Sequence, residues 1–321
     1  MDNIVYSGAK KLRARDRTMA DDLRKKLEEY SSNHRKLAGI DPPENKESLI
    51  EQMIDSIRRI KFVEAIRKRR ISNLRTDSSS DLFDPIRAAI VHATNGDNEE
   101  ACWLIFLAIH FGKSSVGGWS FVRDIYNALG AGYLWNWKRI SFNPDAFTDW
   151  LARNYQNFNN ANYRFGNHRK YESINPTKSN FTGLVTKSYV NWVLESGSHK
   201  DLFINALNNS NNDPRLTFRH LYKSMKVFRF GRTAKFDYLT MLAKIGLVKI
   251  EADSAYMGAA TGPVDGARLL FTGVSTADIS RNDLDKWLLD LDLHLQVGMQ
   301  VLEDSLCNWQ KSPSEFKAFR G

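Results

Sequence analysis

The sequence predicts an all-α protein. Three observations carry that prediction: apolar residues recur at helical spacing along most of the 321 residues, capping residues or prolines precede many of those runs, and no credible run of alternating apolar and polar residues is present. No internal repeat is visible either.

Met19–Lys36 and Glu47–Arg70 read as two N-terminal helices, separated by the helix stop and rigid turn Gly39-Ile40-Asp41-Pro42-Pro43. In the second, Leu49, Met53, Ile57, Ile60 and Val63 share a face, and the helix ends in Arg67-Lys68-Arg69-Arg70. A polar linker, Asp77-Ser78-Ser79-Ser80-Asp81, is the best candidate boundary, dividing a basic helical extension (1–76) from a helical catalytic domain (82–321). Asp84-Pro85 opens the next helix with a cap and a proline at its first position. Ala101–His110 is apolar almost all round and reads as a buried central helix. Trp119–Leu129 follows, then Pro144–Tyr155 behind an Asn143 cap. Gln156–Asn180 is a long polar loop, of a length that inside a compact domain is usually functional. Helices resume at Gly183–Glu195, Lys200–Asn208, Pro214–Lys226, Thr233–Ile245, Asp265–Phe271 and Arg281–Trp309.

Composition narrows the function. A hydrophobic fraction of 42% fits a folded globule, and the longest apolar stretch, Ala101–Ile109, is far short of the roughly 20 residues of a membrane span. The first residues lack the apolar core of a secretory signal. Cys102 and Cys307 are far apart, so neither a disulfide framework nor a zinc knuckle is expected, and a reducing cytoplasm fits best. The net charge is +9, and residues 1–76 hold 19 Lys and Arg against 12 Asp and Glu, a net of +7 that leaves +2 for the rest. A basic flank on a nearly balanced body points to a polyanion, nucleic acid first and a membrane surface second. No GxxxxGK[ST] loop, GxGxxG after a strand, HExxH or GxSxG is present, and the seven histidines show no metal spacing. Neither a cofactor nor a metal is therefore expected.

Three segments concentrate chemistry. Arg164-Phe165-Gly166-Asn167-His168-Arg169-Lys170-Tyr171-Glu172 mixes cations, aromatic faces and polar edges, the residue types that clamp phosphates and hold an unstacked base. Within it Arg164 and Lys170 are candidate phosphate ligands, and His168, Arg169, Tyr171 and Glu172 candidate base contacts. Phe228–Tyr238 carries Arg229, Arg232 and Lys235 as further phosphate candidates around Asp237, with Thr233 as the expected cap of a new helix. Asp237 is the candidate catalytic carboxylate, able to face a developing positive charge. Ala260–Arg268, with Gly262, Gly266 and Arg268, could offer backbone N–H groups to a phosphate in the manner of a helix-hairpin-helix. An ordinary turn between helices would look almost the same. His110 and Lys113, after the apolar helix, could line a pocket, although a core histidine is the simpler reading of His110.

Together, His110-Phe111-Gly112-Lys113, Gly118-Trp119 with Arg123-Asp124-Ile125-Tyr126, Phe165–Glu172, Arg229–Tyr238, Thr261–Arg268 and Val297–Pro313 resemble the alpha-glutamyl/putrescinyl thymine pyrophosphorylase family, clade three, over roughly residues 85–321. The resemblance implies a fold similar to helix-hairpin-helix DNA glycosylases, and double-stranded phage DNA with modified bases as partner. The family's name implies that an amine displaces pyrophosphate from an activated hydroxymethyluracil. Clade-three proteins also resemble antiphage glycosylases that excise glucosylated hydroxymethylcytosine and leave abasic sites. That reaction needs no nucleotide site, so a DNA N-glycosylase is the first expectation, with the pyrophosphorylase-type transferase and a non-enzymatic DNA-binding protein as alternatives. In helix-hairpin-helix glycosylases the catalytic Asp follows the hairpin, whereas Asp237 precedes Thr261–Arg268; Asp283, Asp285, Asp290 and Asp292 follow it and remain rivals.

Overall fold

The computed structural model describes residues 14–166 and 169–319, and its regular elements are all helical. Fourteen α-helices run in order among the described residues: α1 Arg17–Asn33, α2 Pro43–Arg67, α3 Pro85–Thr94, α4 Asn98–Phe111, α5 Ser120–Tyr126, α6 Trp137–Phe142, α7 Pro144–Asn160, α8 Thr182–Leu194, α9 His199–Asn208, α10 Pro214–Ser224, α11 Arg232–Ile245, α12 Gly262–Thr272, α13 Arg281–Leu295 and α14 Met299–Trp309. The only extended pairings described are two isolated bridges, Ser114 with Gly118 and Ser173 with Phe181.

Two of the caps legible in the sequence, Asp84 and Asn143, form as expected. Asp84 accepts from the N–H groups of Ile86 and Arg87 with Pro85 at the first helical position, and Asn143 accepts from Ala146 N–H at 3.0 Å. Helix α6 is not among the expected elements; Asn136 caps it by accepting from Arg139 N–H at 3.0 Å. Helix α5 ends earlier than expected because Ala128 and Leu129 adopt left-handed backbone angles. The long helix expected over Arg281–Trp309 divides into α13 and α14, since Gln296 and Gly298 have φ of 56° and 89°. Asp292 secures the break, accepting from Gly298 N–H at 2.7 Å.

The chain forms two compact units, and they do not divide at Asp77–Asp81. Among the described residues, those within 63–251 make one unit, and 14–62 with 252–319 make the other. The polar linker lies inside the first of these, where Asn127 Nδ2–H donates to Ser78 O at 2.8 Å and Arg123 pairs with Asp81.

The 63–251 unit is built around α4. Its residues from Ala101 to Leu107 are entirely buried, as expected of a helix apolar on every side, and it packs on α3 and α11. Trp103 and Phe106 stack on Tyr189 of α8, the latter with ring centroids 3.8 Å apart. In the other unit α1 buries Ala20, Leu23, Leu27 and Tyr30 and packs on α13, while α12 packs on α14. That second packing is close because Gly266 faces α14: a Cβ there would lie 2.3 Å from the Leu306 carbonyl oxygen.

Candidate functional site

The strongest gathering of polar chemistry lies in the 63–251 unit, where α4 ends. His110 has no exposed surface, and both of its ring nitrogens are engaged. Its Nδ1 meets a guanidinium nitrogen of Arg169 at 3.0 Å, and its Nε2 makes a short hydrogen bond with Thr182 Oγ1. Arginine can only donate, so Nδ1 accepts and the proton of a neutral ring sits on Nε2, directed at Thr182. Burial, followed by the positive charge of Arg169, holds the imidazole well below its ordinary pKa of 6.5, which fixes that neutral form. His110 therefore supports the site from within and offers no face to a base.

Arg169 extends the assembly. Its side chain is 8% exposed, donates to the Arg229 carbonyl at 3.1 Å, and pairs with Glu172 at 3.5 Å. Glu172, 5% exposed, also takes Arg229 Nε–H at 3.3 Å. Burial lowers the Arg169 pKa, Glu172 offsets the loss, and Arg229 adds to it. The guanidinium also lies 5.2 Å over the Phe230 ring. Arg229 takes a left-handed φ of 52°, turning the chain into α11. One buried carboxylate thus joins two arginines and ties the loop at 161–181 to the residues leading into α11. Arg169 and Glu172, expected as base contacts, are buried members of this tie.

A backbone contact sets the other side of the loop. Gly166 N–H donates to Phe111 O at 2.7 Å, and Gly112 and Gly166 meet so closely that a Cβ on Gly112 would lie 2.6 Å from Gly166 Cα. Gly112 also has φ of 71°, so no other residue fits there without strain. Outside the tie, Lys113, Arg164, Lys170 and Tyr171 are exposed, with Lys170 Nζ 5.2 Å over the Tyr171 ring. His168 lies outside the described residues.

Asp237 is half-buried on the second turn of α11. The helix starts at Arg232 with Gly231 as its N-cap, one residue before the expected start, and Thr233 is not the cap. Arg232 lies 5.3 Å over Phe236, and half-buried Lys235 donates to Tyr222 O at 3.4 Å, its pKa lowered by burial.

The next residue, Tyr238, ends a buried polar chain that no spacing in the sequence announces. Glu99 accepts from His199 Nδ1–H at 2.7 Å and from the N–H groups of His199 and Lys200. His199 Nε2 lies 2.7 Å from Tyr189 OH, which lies 2.8 Å from Tyr238 OH. Burial lowers the His199 pKa and keeps the ring neutral, so with Nδ1 donating the order runs from Tyr238 OH to Tyr189 OH to Nε2. This chain links α4, α9, α8 and α11 and fixes the rotation of the helix that carries Asp237.

The remaining candidates fall in the other unit. Gly262 begins α12, whereas Gly266 lies inside it, buried against α14, which gives it a packing role in place of the expected turn. Arg268 donates to Ile279 O at 3.2 Å. The rival carboxylates have local tasks: Asp283 accepts from the Ser280 hydroxyl and Asp285 from the Ser254 hydroxyl, both at 2.7 Å. Tyr30 OH donates to Asp290 at 2.7 Å, and Asp292 holds Gly298. Among the described residues, no three His, Cys, Asp or Glu side chains gather as a metal site, and no helix is long and apolar enough to cross a membrane.

No curated protein and no solved structure matches the chain. A family model does match residues 44–321, and so extends into α2 beyond the span legible in the motifs. On that match the chain belongs to the alpha-glutamyl/putrescinyl thymine pyrophosphorylase family, clade 3.

Proposed function

We propose that this protein is a DNA N-glycosylase that flips out and excises a bulky modified base, glucosylated hydroxymethylcytosine in phage DNA, as an antiphage defence. Membership of a family named for thymine modification supports DNA as the substrate. The observation that carries the reading is the buried tie His110–Arg169–Glu172–Arg229. It makes one stiff block of a loop bearing exposed cations and an aromatic ring and of the chain leading to half-buried Asp237. A flipped nucleotide needs those parts: cations for its flanking phosphates, a ring against its base and a carboxylate near its sugar.

In the proposed reaction the bond between C1′ and the base nitrogen breaks, and its electron pair leaves with the base. The sugar gains oxocarbenium character, which Asp237 stabilises by charge. Water attacks C1′, and its proton ends on the departing base, leaving an abasic site.

The family description favours a second reading, transfer of an amine to an activated hydroxymethyluracil with release of pyrophosphate. There the amine nitrogen bonds to the methylene carbon as its bond to the pyrophosphate oxygen breaks, and the amine loses a proton. One experiment separates the readings. Purified protein is incubated with glucosylated phage DNA, hydroxymethylated DNA and plain DNA, with and without an activated base and an amino donor. Free modified base and alkali-labile sites support the glycosylase. An amine adduct on intact DNA establishes the transferase instead. DNA that is bound with every base unchanged rejects both.

A further inference from the structure

The turn at residues 113–118 has a feature that the tie around His110 does not use. Val116 at its tip is 97% exposed, above every other large apolar side chain described as exposed. A lone exposed apolar residue is ordinary; the turn that holds this one is unusually braced. Ser114 N–H donates to Gly118 O at 2.9 Å, and Gly118 N–H donates back to Ser114 O at 3.1 Å. Inside that ring, Ser114 Oγ accepts from the N–H groups of Val116 and Gly117 at 3.3 and 3.2 Å. The Ser120 hydroxyl donates to Gly117 O at 2.8 Å. These hydrogen bonds hold the tip out and leave its side chain uncovered.

The placement of the turn gives the tip a partner. It leaves α4 at Gly112, where the backbone meets Gly166, so the turn and the segment 164–172 start from one contact. Exposed Lys113 lies three residues before the tip and exposed Arg164 two residues before Gly166, so cations and an apolar point leave the same backbone contact. Cations beside a small apolar tip match a duplex, whose phosphates lie outside and whose stacked bases lie within. Proteins that open a duplex insert such apolar side chains between base steps. A braced turn loses little conformational freedom on insertion, whereas a mobile loop would lose much.

We propose that residues 113–118 form a wedge: Val116 enters the base stack of duplex DNA while Lys113, Arg164 and Lys170 hold the neighbouring phosphates, opening the step from which the target base leaves. This rests on the reading of DNA as substrate and not on which bond the enzyme breaks.

The test uses the full chain and a duplex carrying 2-aminopurine beside 5-hydroxymethyluracil, since 2-aminopurine brightens when unstacked. Wild-type protein at saturation should brighten the probe. Val116→Ala should bind with similar affinity yet lose most of the brightening, and Val116→Leu should retain it. Phe142→Ala, which removes another highly exposed apolar side chain of the same unit, should match wild type. Base release from glucosylated duplex should fall about tenfold in Val116→Ala, from two apolar carbons no longer buried in the stack. On the same sequence as a single strand it should be unchanged. Equal brightening by Val116→Ala and wild type, or wild-type binding without brightening, overturns the wedge. Brightening that depends on Val116 with no base release from any substrate upholds the wedge and rejects the glycosylase, so the two failures are distinct.

Discussion

Glu172 supports a quantitative prediction, because its 5% exposed carboxylate is held by two arginines of different burial. Replacing it with Ala leaves Arg169, at 8% exposure, as an unpaired buried cation, while Arg229, at 35%, can turn to water. Breaking a buried pair from one side costs about 3–5 kcal/mol. The contacts here, 3.5 and 3.3 Å, exceed the roughly 2.7–2.9 Å of the best charge-assisted bonds, which places the cost near the lower end, about 3 kcal/mol. For a cooperative unit the size of residues 63–251 that lowers the melting temperature by about 6–12 °C. The double variant Arg169→Met/Glu172→Leu removes both charges and their desolvation together, and its remaining losses are the donors to His110 Nδ1 and the Arg229 carbonyl and the acceptor of Arg229 Nε–H. It should therefore be less destabilised than the sum of the single variants by at least about 1.5 kcal/mol. Calorimetry or urea titration of wild type, Arg169→Met, Glu172→Leu and the double variant measures the coupling. A Glu172→Ala protein melting within about 2 °C of wild type, or single effects that add, would refute the claim that this carboxylate holds the loop.

Asp237→Asn should keep its DNA affinity while base release falls by roughly two to three orders of magnitude, the scale of losing one electrostatic stabiliser; near-normal release would remove Asp237 from the mechanism. Gly266→Ala should lose about 1–3 kcal/mol of stability, since its Cβ would meet the Leu306 carbonyl oxygen at 2.3 Å. Gly258→Ala, with nothing within 4 Å, should stay within about 0.5 kcal/mol in the same melt. Stability should decline as the pH falls below 6.5, because burial depresses the pKa of both His110 and His199 and the unfolded chain binds protons that the native one refuses. Each histidine contributes up to about 1.4 kcal/mol per pH unit, so a His199→Gln protein should show a shallower decline in urea titrations at pH 7, 6 and 5. Glu99 acts in the same direction: burial alone would raise its pKa, but the His199 bond and two backbone N–H groups hold it below the ordinary value, and that stabilisation fades as acid protonates it. Neutralising Arg67, Lys68, Arg69 and Arg70 should flatten the dependence of log DNA affinity on log salt by about 0.9 for each phosphate that these side chains neutralise; an unchanged slope would take that cluster out of the interface.

Charge count and charge availability differ along the N-terminal segment. The +7 of residues 1–76 was legible as composition, but many of those cations already have partners. Arg24 pairs with Asp21 and Glu47, Lys46 with Glu28, Arg58 with Asp16, and Arg59 with Asp55 and Asp304. A cation held by a carboxylate releases little on meeting a phosphate, so these side chains serve packing within the unit that holds them. Arg67 to Arg70 are exposed and belong to the 63–251 unit, with the loop and Asp237.

The same distinction decides what the sequence could reveal. Local chemistry was readable: the all-round apolar α4, the Asp84 and Asn143 caps, and the density of arginine and aromatic residues at 164–172 and 228–238. Each is encoded within one or two helical turns. The short α6 escaped because six residues are too few to display a period. Pairings across long separations were not readable, because any of several carboxylates could have met Arg229, and only the folded loop selects Glu172, 57 residues away. Gly39 makes the point for packing. It reads as a helix stop, and it is also where a Cβ would lie 2.1 Å from the carbonyl oxygen of Leu269, so its smallness lets the N-terminal segment lie against α12. A residue type states what a position can do; the fold chooses among partners, and the functional argument moves with that choice. Glu172, expected as a base contact, is held as an anchor by two arginines, and the catalytic role proposed for Asp237 rests on its own variant.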